Sequence, residues 1–162
     1  MTAVFVGVGS NVEPERRVRE AVHGLREYFG DLQISPIYRN PAVGFQGDDF
    51  LNLAVAFDSQ ESPTRVHAAL NAIERRCGRI RGGPRFAPRT LDLDLLLYGD
   101  LVADSPVRLP RPEILRYAYV LKPLTDLAPE RGHPLTGRSF AEHWREFSGR
   151  KQGLVTVALA GL

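Results

Sequence analysis

The chain holds one cysteine, one methionine, one tryptophan and only two lysines, Lys122 and Lys151. Cys77 has no partner for an internal disulfide, which points to a reducing, cytoplasmic setting and leaves its thiol as a small core group near the end of a helix pattern. No apolar run approaches the roughly 18 residues of a bilayer-spanning helix. The amino terminus passes straight into Ala3-Val4-Phe5-Val6-Gly7-Val8 without a cationic lead or cleavage site, so secretion and membrane spanning are not expected. No G-x-x-x-x-G-K-[ST] loop occurs, which excludes a Walker A cradle for nucleotide phosphates. A net charge of +2 is too small for wholesale nucleic-acid binding. No repeat, low-complexity tract or linker divides the 162 residues, so a single domain over 1–162 is expected, large enough to bury a core unaided.

What is present is concentrated between Gly78 and Leu97. Residues 75–91 contain no acidic residue, and Arg75, Arg76, Arg79, Arg81, Arg85 and Arg89 gather there around Gly78, Gly82, Gly83, Pro84 and Pro88. Arginine is the better planar, bidentate phosphate ligand, so this is a cationic loop suited to a polyphosphate. Leu91-Asp92-Leu93-Asp94-Leu95 follows with a strict period of two, which puts leucines on one face of a strand and both carboxylates on the other. Along a strand, Asp92 and Asp94 sit about 6.5 Å apart and point the same way. Carboxylates so spaced can hold two Mg²⁺ ions, each keeping waters and taking phosphate oxygens. The plainer reading is a sheet with one wet face beside a solvated loop; the adjacency of loop and strand favours the metal site.

The remaining pattern reads as α+β. Residues 3–8 form a central strand covered on both faces, and Pro14 opens a helix to about Phe29 with Val18, Ala21, Val22, Leu25 and Phe29 inward. Ser10 and Asn11 are candidates to cap that helix. Residues 32–38 and 50–58 read as neighbouring strands. Ser62-Pro63 starts a second helix with Val66, Leu70, Ile73 and Cys77 buried, and the Asp-bearing strand runs to about Tyr98. The order β-α-β-β-α-β is that of a ferredoxin-like split-βαβ sandwich, with both helices on one face and C-terminal additions. Those additions are a short strand near Leu101-Val102, a helix from Tyr119 or Val120 to Leu127, a short helix over 139–147 and a strand-like apolar tail over 154–159.

The run Arg85-Phe86-Ala87-Pro88-Arg89-Thr90-Leu91-Asp92-Leu93-Asp94-Leu95-Leu96 resembles the signature of the 6-hydroxymethyl-7,8-dihydropterin pyrophosphokinases of folate biosynthesis. Further matches extend from Gly9-Ser10-Asn11 to Pro123-Leu124 and leave only the last quarter without a counterpart. In that family an alcohol attacks the β-phosphorus of ATP and AMP is released. The resemblance implies that Asp92 and Asp94 bind two Mg²⁺ and that Arg79 and Arg89 are catalytic. On the ATP side it implies Asn71, Glu74, Arg81, Phe86, Leu95, Arg111, Pro112 and Tyr117. On the pterin side it implies the loop Asn40, Pro41, Ala42, Val43 and Gly44, an aromatic sandwich of Phe50 and Tyr119, and Asn52 as the amide that reads the heterocycle's edge. Asn52 also stands out without the resemblance, because it interrupts an apolar strand where a buried amide must find partners. Gly78, Gly82 and Gly83 would let the arginine loop close over the nucleotide.

The chain departs from the family at four positions. Phe86 stands where tryptophan is frequent, Arg111 where histidine is usual, Tyr117 where arginine is usual and Tyr119 where phenylalanine is usual. The change at Tyr117 removes a phosphate-facing charge, so a slow or specialised paralogue is an alternative expectation. An RNA-binding α+β module is a second, although the K/R-G-F/Y-G/A-F-V-x-F/Y pattern is missing. A metal-dependent nuclease would use the two aspartates and leave Asn52 and the rings without purpose. The expected partners are small molecules, ATP and the hydroxymethyl dihydropterin, with no nucleic acid and no membrane, acting on a monomer.

Overall fold

A computed structural model describes residues 1–41, 49–77, 91–151 and 153–162. Its elements are β1 (Thr2–Ser10), α1 (Pro14–Phe29), β2 (Gln33–Ile34), β3 (Ile37–Asn40), β4 (Phe50–Ser59), α2 (Pro63–Cys77), β5 (Asp92–Tyr98), a 3-10 turn (Pro112–Leu115), α3 (Ala118–Leu127), α4 (Phe140–Glu146) and β6 (Val155–Val157), with a second 3-10 turn at Ser148–Lys151. The sheet order is β5-β1-β4-β3-β6, with every pairing antiparallel and β2 also on β4. Apart from β6, which joins the β3 edge, this is the ferredoxin-like order expected from the sequence.

Alternation along the central strands builds three layers. Val4, Val6 and Val8 of β1 and Leu51, Leu53, Val55 and Phe57 of β4 join Val18, Val22 and Leu25 of α1 and Val66, Leu70 and Ile73 of α2 in one core. Phe5, Ala56, Leu96 and Leu97 face the other way, onto Leu121 and Leu124 of α3 and Phe140 of α4. Each fully buried aliphatic here contributes about 1.5–3 kcal/mol, so both faces of the sheet are closed by hydrophobic burial. The expected helix over 139–147 is α4, capped by the Ser139 side chain, which accepts from Glu142 N. The tail forms β6.

Three expectations need correction. The strand over 32–38 is broken in two: Ser35 Oγ accepts from Ala54 N in place of a ladder carbonyl, and Pro36 has no N–H to give. Register then slips by one, because Ile34 pairs with Val55 but Tyr38 with Asn52. Leu101-Val102 is not a strand; Val102 is 54% exposed, Leu101 N closes a turn onto Tyr98 O, and an isolated bridge joins Ala103 to Leu109. Ser10 and Asn11 do not cap α1, whose N-cap is Glu13 in the left-handed region at φ 44; Ser10 Oγ donates to Val12 O instead.

Among the described residues, no helix is long and apolar enough to cross a membrane.

Candidate active site

The site begins with two missing side chains. Gly7 and Gly9 lie on the α3 face of β1, and without side chains they leave a strip of bare backbone across the middle of the sheet, which floors a cavity of about 240 Å³. Strand register decides what flanks that floor. Gly9 lies opposite Asp92 on one side and Asn52 on the other; Gly7 lies opposite Asp94 and Ala54. With strands about 4.8 Å apart, Asp92 and Asn52 stand roughly 10 Å apart across Gly9, a span that accommodates a fused bicycle.

Asp92 and Asp94 both line this cavity, as the period of two predicts, while Leu93 and Leu95 point into the helix-side core. The alternation ends at Leu96: Phe5 pairs with Leu97 and Val6 with Leu95, so Leu96 is an extra residue in β5, and Leu96 and Leu97 both join the α3-side core. β5 is an edge strand, so its outer N–H groups need partners from elsewhere. Glu74, buried on α2, supplies one, its Oε1 accepting from Leu93 N at 2.7 Å. The Asp-bearing strand is thereby pinned to α2 between its two carboxylates.

Arg111 closes this end. Its N and Nε donate to Leu96 O and Leu95 O, both at 3.0 Å, and its guanidinium reaches to 3.9 Å from Asp94 Oδ1. The opposite end is polar in a different way. Asn52 and Asn40 are both buried, and Asn52 Nδ2 donates to Asn40 Oδ1 at 2.5 Å, so each amide fixes the other. Above the floor, Phe50, Tyr117, Tyr119 and Val120 line the cavity. The Tyr117 and Tyr119 rings stack with centroids 5.1 Å apart and planes 19° from parallel. Burial, then the neighbouring Tyr117, Asp94, Glu113 and Asp92, push the Tyr119 hydroxyl above the ordinary tyrosine range. α3, which carries Tyr119 and follows Tyr117, is itself tied to the sheet by the Tyr38 hydroxyl of β3, which donates to Asp126 Oδ2; within the helix Lys122 Nζ braces Asp126 Oδ1 at 2.8 Å. Burial and that bond raise the Tyr38 hydroxyl far above its usual range.

The structure therefore brings together Asn40, Phe50, Asn52, Asp92, Asp94, Arg111, Tyr117 and Tyr119 from the sequence reading. Other expected residues stand apart. The Leu95 side chain is fully buried on the opposite face, and only its carbonyl, held by Arg111, faces this region. Glu74 is occupied with Leu93, and Asn71 Nδ2 lies 3.3 Å from His67 Nε2 on α2. Pro112 opens the 3-10 turn and Pro41 O accepts from Asn40 Nδ2, neither lining the cavity. Arg79, Arg81, Phe86, Arg89, Ala42 and Val43 lie outside the described residues, as do Gly44, Gly78, Gly82 and Gly83. Gly7, Gly9, Glu113 and Val120 were missed; two glycines at alternate positions of an apolar strand were the available signal for the floor.

The donor set suits a hard divalent cation. Asp92 and Asp94 offer only carboxylate oxygens from one face, Asp94 with half its side chain exposed to the cavity. Among the described residues no group of three His, Cys, Asp or Glu side chains could hold a metal. The remaining coordination must then come from water and ligand oxygens, which is how Mg²⁺ is held beside phosphates.

A family model described as 7,8-dihydro-6-hydroxymethylpterin-pyrophosphokinase matches residues 5–129. The 2-amino-4-hydroxy-6-hydroxymethyldihydropteridine pyrophosphokinase of Pseudomonas aeruginosa is 36% identical over 144 residues, covering 86% of this chain and 88% of that protein. The protein of the same name from Aquifex aeolicus is 27% identical over 145 residues, covering 88% and 90%. The folic acid synthesis protein fol1 of Pneumocystis carinii is 27% identical over 150 residues, covering 89% of this chain but 20% of that protein. A crystal structure of wild-type Plasmodium falciparum HPPK-DHPS shares the fold, with a TM-score of 0.72 at 12% identity over 93% of this chain. This chain spans 44% of that one.

Proposed function

This chain belongs to the 7,8-dihydro-6-hydroxymethylpterin-pyrophosphokinase family, and from that membership we propose that it transfers pyrophosphate from ATP to 6-hydroxymethyl-7,8-dihydropterin in folate biosynthesis. The observation that carries this reading is the row Asp92, Gly9, Asn52: carboxylates for the phosphate side, bare backbone beneath a flat ring and an amide for its far edge. The acceptor's hydroxymethyl oxygen forms the new bond to the β-phosphorus; the bond from that phosphorus to the oxygen shared with the α-phosphate breaks, and AMP leaves with that oxygen. The proton of the alcohol passes to solvent.

Asn52, braced by Asn40, orients the amino-pyrimidine edge, and the rings of Phe50 and Tyr119 hold the bicycle so that its hydroxymethyl group meets the aspartates. Asp92 and Asp94 would hold two Mg²⁺ ions, which supply charge neutralisation on the triphosphate and a lowered pKa for the attacking hydroxyl. Arg111, fixed to two carbonyls of β5, presents a preorganised cation beside Asp94. Arg79 and Arg89 complete the cationic side in this reading, with Arg81 and Phe86 against the nucleotide. At Tyr117 a stacked ring occupies the position of a phosphate-facing arginine, which favours a slower enzyme than an arginine-bearing relative. An RNA platform would need an open sheet with exposed aromatics, whereas α3 and α4 pack against the second face here. Action as a single-domain monomer in the cytoplasm belongs to the same proposal, and the lone, buried Cys77 suits it.

The test is to combine the protein with Mg²⁺, ATP and the hydroxymethyl dihydropterin and to follow the nucleotide product. AMP, formed only with acceptor and Mg²⁺ present, is the expected result. Release of ADP instead would reveal γ-phosphoryl transfer and defeat the assignment.

A further inference from the structure

Glu113 sits in the 3-10 turn that overhangs the cavity and lines it together with Asp94, Tyr117 and Tyr119. Its Oε2 is buried and has no hydrogen-bond partner among the described residues. A buried, unpartnered carboxylate oxygen is costly, and one that lines a cavity is placed to take a donor from water or from whatever the cavity binds. The backbone beneath it is rigid. Glu113 O accepts from Arg116 N and Tyr117 N, both at 3.1 Å, and the next residue, Ile114, is fully buried in the α3-side core. The side chain is therefore held over the site by its own turn.

The chemistry of the missing partner follows from the neighbours. Glu113 is not a third metal ligand, because no three acidic groups converge to that degree among the described residues. It lines the same cavity as Asp92, Asp94 and Tyr119, so it adds a third carboxylate to the acidic side of that space. A triphosphate is repelled by such a group; an O–H or N–H donor is attracted to it. We propose, on the strength of the functional reading above, that Glu113 is a binding residue for the acceptor, its carboxylate taking a hydrogen-bond donor of the dihydropterin at the end nearest the aspartate pair. It thereby selects the acceptor over a second nucleotide phosphate for this half of the cavity.

The test measures binding rather than turnover. With Mg²⁺ and a non-transferable ATP analogue present, Glu113→Gln keeps the shape and removes the charge. A charge-assisted hydrogen bond lost in this way raises the acceptor Kd about tenfold to a hundredfold. Affinity for the analogue stays the same and the melting temperature does not fall. Glu113→Leu, which removes both oxygens, binds acceptor no better than Glu113→Gln. Repeating the titration with 6-methyl-7,8-dihydropterin identifies the donor: a loss confined to the hydroxymethyl compound assigns the O–H, and an equal loss with both assigns a ring N–H. Unchanged acceptor affinity in Glu113→Gln overturns the proposal, as does a fall in melting temperature with parallel loss of analogue binding, which would make the carboxylate structural. A wild-type protein that binds no dihydropterin at all defeats the functional reading itself, and this proposal with it.

Discussion

Replacing Gly9 with alanine separates the fold from the site. Gly9 lies in the middle of a paired strand with an ordinary extended backbone, so alanine fits its dihedral angles and removes some freedom from the unfolded chain, worth about 0.4–1 kcal/mol. The new methyl meets one obstacle. A Cβ built at Gly9 would lie 2.7 Å from Asn52 Oδ1, with the next atoms at 3.8 and 4.0 Å. The amide is the movable end of a side chain, so it turns aside and gives up its bond to Asn40 Oδ1, at a cost of about 1 kcal/mol. The two effects nearly cancel, and the melting temperature should stay within a few degrees of wild type. Binding does not recover in the same way. In the proposed site the acceptor loses its edge-reading amide and finds a methyl on the floor beneath its ring, a combined loss of about 1–3 kcal/mol, or roughly fivefold to 150-fold in Kd. Calorimetric titration of the acceptor, with an ATP analogue present, reads the loss, and thermal unfolding reads the stability. Gly7→Ala is the comparison: it also puts a methyl on the floor, but its Cβ would meet only Leu96, at 3.5 Å, and it leaves the amide pair alone, so its loss of affinity is the smaller. Wild-type acceptor affinity in Gly9→Ala would refute the assignment of Asn52 and of the floor, and equal losses in the two variants would refute the assignment of Asn52.

Asp94→Asn should lower the rate of AMP formation by about a hundredfold to a thousandfold while the melting temperature stays within a few degrees of wild type, because relief of the like charge on Asp92 offsets the lost attraction to Arg111; a near-normal rate would rule out the metal role. Tyr117→Arg, which exchanges the stacked ring for a phosphate-facing cation, should raise AMP production about tenfold, and equal rates in the two proteins would dismiss the slow-enzyme reading. The C-terminal layer should respond to acid. Burial, then the neighbouring His143, lower the pKa of His133, whose Nδ1 accepts from Leu135 N and Thr136 N, so the folded state resists a proton that the unfolded chain takes up near pH 6.5. Stability is therefore full above the unfolded value and declines as pH falls below about 6.5. Melting temperatures between pH 7.5 and 5 should show this slope, and a smaller slope in His133→Asn ties it to that ring.

How much of this could be read in advance depends on how local each cause is. The helix stripes, the paired aspartates and the Ser62-Pro63 start rest on periodicity and capping within a few residues, and the chain obeys them: Ser62 Oγ accepts from Arg65 N as the cap requires. The broken second strand turned on Ser35 reaching Ala54 across the sheet, a contact that no local pattern displays. Leu101-Val102 had strand composition but sits beside Ser105-Pro106, where the ladder cannot extend, and no neighbouring strand claims it. Glu74 could be placed on α2; its use in pinning the outer edge of β5 depends on which strand ends the sheet.

The amino-acid order alone established the αβ framework, the family signature and the two carboxylates on one side of a strand, because alternation and motif spacing are properties of consecutive residues. Assembly decided the rest. Only the antiparallel register sets Gly9 between Asp92 and Asn52, residues far apart along the chain, and only the packing of α3 and its preceding turn over that strip converts bare backbone into a cavity with Glu113 at its rim. The spacing between strands, which no stretch of sequence encodes by itself, is what makes the opening the width of a bicyclic ring.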